Sequence, residues 1–340
     1  MLVFALAIAA AELFLRLVLP FQLAFGETWF TPGIHLPNPK YGYVFAPNYR
    51  GFMFHSDKVT RVPLVHDQYG FRPPGISPQT NIDDQVVLIG GKSVAYCYGL
   101  PQEHTLQSEM ARAGPCPLQV WSAAWPGFSE DMMFHAYRDF LEPHIAPPKV
   151  AMLLLYQVKL GYYADLPADP DLLPPPTLDS SSRYVDGLVL PPRPMPSRLL
   201  GAYFYKSYFL ARLAANMDSR FSLLSSAEPD GDLERVEQKR LVGLKRFARF
   251  VAFMNDYFRQ RNTRFAVVAL PVWYQDADYT GIKKVLPPNV PYLDLHQELR
   301  PHLTPDDFIA GGHFGPRASA QVGHRLAEEA CRLLREDNHQ

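Results

Sequence analysis

Val86-Val87-Leu88-Ile89-Gly90-Gly91-Lys92-Ser93 is the run on which the fold turns. Four apolar residues follow the acidic turn Asp83-Asp84 and stop at two glycines. That is the pattern of a short buried strand opening onto a tight loop. Outward from it, Thr105 to Ala113 reads as a helix, Gln119-Val120-Trp121 as a second strand, and Ser129 to Leu141 as a helix capped by Ser129. Val150 to Tyr156 is apolar enough for a third, fully buried strand. Leu233 to Arg261 carries Val236, Leu244, Phe247, Val251, Met254 and Phe258 at helical spacing, and Arg264 to Leu270 then gives a fourth strand before Pro271. Pro291 to Leu295 is a weaker fifth, and Ala318 to Arg335 closes the chain as an amphipathic helix. Strands separated by helices predict an α/β fold with a doubly wound, mostly parallel five-stranded sheet.

The 340 residues suffice for one large α/β domain, and 47% apolar residues is ordinary for a globular core. Lysine plus arginine (33) balances aspartate plus glutamate (34), so no global field draws the chain to nucleic acid. The 33 prolines predict long irregular loops. Cys97, Cys116 and Cys331 have no metal or redox spacing and allow at most one internal disulfide, which leaves the compartment open.

Met1 to Val18 is almost wholly apolar, and the run resumes from Phe21 to Phe25 after Pro20. About 20 apolar residues match the hydrocarbon thickness, and Glu12 and Arg16 can pair at i, i+4. A transmembrane signal anchor over residues 1–25 is expected, with the main domain outside the cytoplasm. Residues 26–80, rich in proline, glycine and aromatics, read as an extended lead-in, and 81–340 as the main domain. A Pro-rich insertion at 161–232 holds a hairpin around Asp186-Gly187 and a helix from Leu199 to Asn216. Its place after a strand's carboxyl end suits a cover over a ligand, and a disordered loop fits equally well.

Gly91-Lys92-Ser93 invites a phosphate-loop reading, which fails because the glycine that motif needs five positions earlier is Val86. Two readings of Ser93 stay open on this segment alone: a nucleophile lifted out on the strand-to-helix turn, and a cap of the next helix. The histidines, including His135, His144, His296, His302 and His324, make no metal-ligand cluster, so neither a metal nor a cofactor is expected. Tyr96, Trp125 and Phe128 suit aromatic core packing better than a sugar platform.

Three blocks together resemble the SGNH/GDSL hydrolases. Val86 to Leu100 looks like the first block, with Ser93 on the nucleophile. Val120-Trp121-Ser122-Ala123-Ala124-Trp125-Pro126-Gly127-Phe128-Ser129 is similar to the second. Gly312-His313-Phe314-Gly315-Pro316 resembles the last, with His313 on the catalytic histidine. The apolar amino terminus with Glu12 and Arg16, a Tyr-Gly-Tyr segment and Gly70-Phe71-Arg72 resemble membrane-anchored bacterial members associated with surface polysaccharide. The resemblance implies a flavodoxin-like fold and a periplasmic serine esterase or O-acyltransferase acting on an acylated glycan or small acyl ester. Its partners would be polysaccharide-biosynthesis proteins of the inner membrane, and its oxyanion would rest on the amides of Ser93 and Ala124. The departures are as informative. Lys92 replaces the Asp before the nucleophile, and Gln157-Val158-Lys159 stands where Asn-Asp is expected, so the side-chain oxyanion donor is either replaced by Gln157 or Lys159 or lost. Ala310 replaces the Asp before the histidine, so Asp306 or Asp307 is left to orient it. Lys92 beside Ser93 invites a serine-lysine pair, but neighbours in sequence usually diverge, so a solvent-facing lysine is expected. Lys92, Lys159 and Ala310 also admit a catalytically silent binding or scaffold protein.

Overall fold

The computed structural model describes residues 2–18, 29–55, 60–78, 84–167, 169–172, 183–185, 188–190, 233–273, 279–309 and 312–336. Leu2–Val18 form helix α1, on which Val3, Leu6, Leu13, Phe14 and Leu17 are all exposed. At ~1.5 Å per residue this helix reaches about 26 Å, short of a hydrocarbon layer of roughly 30 Å. Among the described residues no helix is long and apolar enough to cross a membrane. The span expected over residues 1–25 is therefore not shown: Pro20 and the apolar run after it lie outside the described residues.

The chain forms two units, Met1–Leu64 with Pro175–Gly231, and Val65–Pro174 with Asp232–Gln340. In the first, His35–Asn38 (β1) pairs antiparallel with Gly42–Phe45 (β2), and Arg50–Phe54 (β3) forms a separate two-stranded sheet with Arg61–Val65 (β4). The second unit includes Gly75–Ile76 (β5), which joins its sheet.

That sheet contains Gln85–Gly90 (β6), Gln119–Ala123 (β7) and Val150–Leu155 (β8). Arg183–Val185 (β9) and Leu188–Leu190 (β10), of the first unit, pair as the expected hairpin; Asp186, Gly187 and the 199–216 segment lie outside the described residues. Arg264–Ala269 (β11) and Tyr292–Asp294 (β12) complete the sheet in the order β12-β11-β8-β6-β7-β5. The five strands read from the sequence are all present and mutually parallel. β5 adds an antiparallel edge beside β7, so the expected five-stranded sheet is corrected to a mixed six-stranded one. Two residues after Pro73-Pro74 carry no readable strand period. Gly75 is required there because a Cβ would lie 1.8 Å from the Gln107 carbonyl oxygen.

From β6 the chain steps to β7 on one side and then crosses to β8 on the other. This reversal puts the switch point of the sheet at the carboxyl ends of β6 and β8, where open α/β sheets hold their ligands. Lys92–Ala95 (α2), Leu106–Ala113 (α3), Glu130–Ala136 (α4) and Leu160–Tyr163 (α5) follow their strands. Leu233–Arg259 (α6), Tyr279–Val285 (α7), Leu295–Leu299 (α8) and Pro316–Arg335 (α9) complete the helices. α4 runs on into a π-helical turn, Tyr137–Leu141.

The amphipathic pattern of α9 buries Ala318, Val322, Leu326, Ala330, Leu333 and Leu334. At Gly323 it passes so close to α3 that a Cβ would lie 2.6 Å from that of Glu109. Cys116, after α3, and Cys331, on α9, form a disulfide across 215 positions, while Cys97 is buried and free. On the loop-entropy model a cross-link of that span stabilises by up to about 5 kcal/mol. Cys331→Ala, or reduction of the native protein, is expected to lower the urea unfolding midpoint markedly. An unchanged midpoint after verified reduction would show that the bridge adds nothing to stability.

Candidate active site

The loop after β6 is built from three consecutive left-handed residues, Gly90 (φ 95), Gly91 (φ 70) and Lys92 (φ 52). Glycine is needed at the first two for space as well as conformation. A Cβ on Gly90 would lie 2.6 Å from the Leu154 carbonyl oxygen, and one on Gly91 would lie 2.5 Å from the Ala95 Cβ. Lys92 has no such freedom, and a non-glycine residue held there costs about 1–3 kcal/mol. The turn closes on itself through Ala95 N–H to Gly91 O and Tyr96 N–H to Lys92 O, both 3.0 Å. Ser93 is lifted out half-buried at the start of α2.

His313 arrives from the far end of the chain on a second tight device. Phe308–Ile309 (β13) pairs antiparallel with His313–Phe314 (β14), placing His313 opposite Ile309. Gly312 (φ 73) makes the bend, Tyr156 Oη donates to its carbonyl at 3.2 Å, and Gly315 N–H bonds Asp307 O at 2.7 Å. Pro316 then starts α9 at a position where its missing N–H has no partner to lose. The imidazole Nε2 lies 2.8 Å from Ser93 Oγ, with the Tyr98 ring centroid 4.9 Å from its own. A hydroxyl and an imidazole at this distance have the geometry of nucleophile and general base, with Nδ1 carrying the proton in that role.

Ala124 is buried directly after β7, beside the carboxyl end of β6. Gln157 follows β8 with a left-handed backbone (φ 48), and its carbonyl accepts from Lys92 Nζ at 2.9 Å. Lys159 is exposed at the head of α5. The two expected histidine orienters do other work. Asp307 Oδ2 accepts from Thr304 N–H and Oγ1 in a capping box, its Oδ1 faces Arg317 Nε at 3.4 Å, and Asp306 is exposed. Neither carboxylate bonds His313, because the Thr304-x-x-Asp307 spacing closes a local turn first.

The position of Lys92 beside Ser93 predicts a solvent-facing side chain, and the structure instead turns it inward. Its Nζ lies 3.8 Å from Glu130 Oε1, and the two side chains are 21% and 1% exposed. Glu130 Oε2 accepts from Tyr163 Oη at 3.0 Å. Burial pushes the Glu130 carboxyl above its ordinary range, while Lys92 and the Tyr163 hydroxyl pull it back. Asp131 is likewise pushed up by burial and opposed by Ser129 and Tyr162, whose hydroxyl reaches its Oδ2 at 3.4 Å. Ser129 Oγ donates to Tyr162 Oη at 3.1 Å, so it stands at the head of α4 without a side-chain cap bond. Arg72 is a further residue whose role the sequence leaves unread. It is buried, and its Nη1 donates to Cys97 O (3.2 Å) and Leu100 O (2.9 Å), pinning the segment after α2. Tyr96, Trp125 and Phe128 are core residues; Trp125 stacks on Phe71 at 4.8 Å and donates to Gly70 O.

No family model and no curated protein matches this chain. Among solved structures, a protein assigned to the lipolytic G-D-S-L family from Desulfitobacterium hafniense DCB-2 aligns over 72% of this chain and 98% of its own, at 10% identity and a TM-score of 0.34.

The turn that presents Ser93 yields a direct test. Gly90→Ala forces a methyl onto the β8 backbone in a conformation alanine avoids, so it is expected to cost at least about 2 kcal/mol in chemical unfolding. A loss below about 0.5 kcal/mol, the range of ordinary surface changes, would mean the turn is not held as described.

Proposed function

We propose that the protein is a serine esterase or O-acyltransferase of the SGNH type, held at a membrane outside the cytoplasm and acting on an acylated glycan. The observation that carries this reading is the 2.8 Å contact between Ser93 Oγ and His313 Nε2 at the switch point of the sheet. Ser93 Oγ attacks the acyl carbonyl while its proton passes to Nε2, and the amides of Ser93 and Ala124 hold the oxyanion. The protonated imidazole then gives its proton to the departing alkoxide, leaving an acyl-serine. Attack by water, deprotonated by the same nitrogen, completes an esterase cycle; attack by a second sugar hydroxyl completes a transfer.

Two features support the location. α1 exposes apolar side chains that a bilayer surface would cover, and the Cys116–Cys331 bridge suits an oxidising compartment. The glycan rests on the sequence resemblance to membrane-anchored members alone. The engagement of Asp307 by Thr304 and Arg317 favours a second reading, a silent binding protein that keeps the fold to grip a glycan.

A fluorophosphonate probe separates the two. Purified protein is expected to be labelled covalently at Ser93, with labelling abolished in Ser93→Ala and reduced by roughly 10³-fold or more in His313→Ala. An unlabelled protein that binds acetylated oligosaccharide equally well with and without Ser93 would establish the binding reading instead.

A further inference from the structure

Lys92 and Gln157 are the two left-handed non-glycine residues flanking the switch point, one after β6 and one after β8, and a single bond of 2.9 Å joins them. Backbone strain of this kind persists where surrounding contacts over-determine it. Here the contact is the lysine ammonium, which reaches the Gln157 carbonyl on one side and Glu130 on the other. The glutamate is aimed for that purpose. Its Oε2 is taken by Tyr163, and its buried Oε1 has no side-chain hydrogen-bond partner among the described residues, with the ammonium at 3.8 Å facing it. Three chain segments, after β6, at the start of α4 and after β8, thus converge on one nitrogen. Lys92 and Ser93 share a peptide unit, so any rotation that released Lys92 from its left-handed state would swing the Ser93 hydroxyl away from His313.

We propose that Glu130, Lys92 and Gln157 form a strap that positions the Ser93 hydroxyl, Lys92 acting through the backbone and not on substrate. The inference rests on the Ser-His reading and assigns to Lys92 and Glu130 a positioning role in it.

The test uses four variants of the full chain: Lys92→Met, Glu130→Gln, the double variant, and Lys92→Arg. Each is assayed well below its own unfolding midpoint. Each single loss is expected to slow fluorophosphonate labelling of Ser93 by about tenfold or more, since misplacing a reacting atom by ~1 Å costs roughly 10²-fold. The double variant, which strands no charge and is expected to fold even if a single variant does not, should be no slower than the worse single variant. Lys92→Arg should recover part of the rate. Parental labelling in a folded Lys92→Met or in the double variant, or multiplicative losses in the double, would overturn the strap.

Hydrogen exchange supplies a readout that needs no activity. The Ala95 and Tyr96 amides should exchange faster in the double variant than in the parent, measured relative to α9. If the parent itself resists the probe, the Ser-His reading fails, and the strap is decided by this exchange: acceleration supports it and equal rates end it.

Discussion

The contact between Ser93 Oγ and His313 Nε2 joins residues 220 positions apart, and neither loop that meets there could hold its partner alone. Ser93 stands on a turn of four residues, and His313 on a two-residue strand of a two-stranded hairpin. What fixes their separation is the packing behind them. β6 and β8 share a full parallel register, α9 leaves the hairpin directly, and α9 lies against α3 at the one place where a side chain would prevent it, Gly323. Ser319 Oγ adds a bond to His104 O at 2.7 Å near the start of α9, and the disulfide ties its far end to the loop after α3. The helix that delivers the histidine is thus fastened at both ends to elements that leave from beside the serine turn. Its rigidity matters for the proposed proton transfer, which requires the two atoms to stay within hydrogen-bond reach.

Electrostatics at the turn follow from one exchange of charge. The residue before Ser93 is a lysine, Lys92, and the acid that answers it stands at Glu130, at the start of the helix after β7. Pairing two charges in a poorly solvated place adds little net stability, because desolvation cancels most of the attraction. Breaking the pair is another matter, since it strands a buried carboxylate that keeps the Tyr163 hydroxyl but loses its facing cation. Such a pair is suited to specifying a conformation, and the conformation it specifies includes a left-handed lysine that the backbone alone would avoid. Arg72 acts on the same stretch by gripping Cys97 O and Leu100 O, so the segment from Gly90 to Leu100 is held at its beginning and at its end.

Much of the frame was legible because burial has a period. Val86 to Ile89, Val150 to Leu155 and Phe265 to Ala269 are continuous apolar runs, and strands covered on both faces look like that whatever their neighbours are. The stripe of α9 and the glycine pair before Ser93 were legible for the same local reasons. β5 was not, since an edge strand of two residues has no period. The partners at the site were less visible still. Glu130 and Asp131 look like ordinary acids in a first helical turn, and only the arrival of Tyr162 and Tyr163 from α5 makes them buried acceptors. Asp307 reads as a histidine partner from its distance along the chain to His313, although Thr304, three residues before it, offers a closer one. Lys92 reads as a surface lysine because adjacent side chains usually diverge. They do diverge here, and the divergence is what carries its ammonium inward to Glu130 while Ser93 turns to His313. Local spacing reports which residues leave solvent; which charge meets them there depends on strand order, which spacing does not encode.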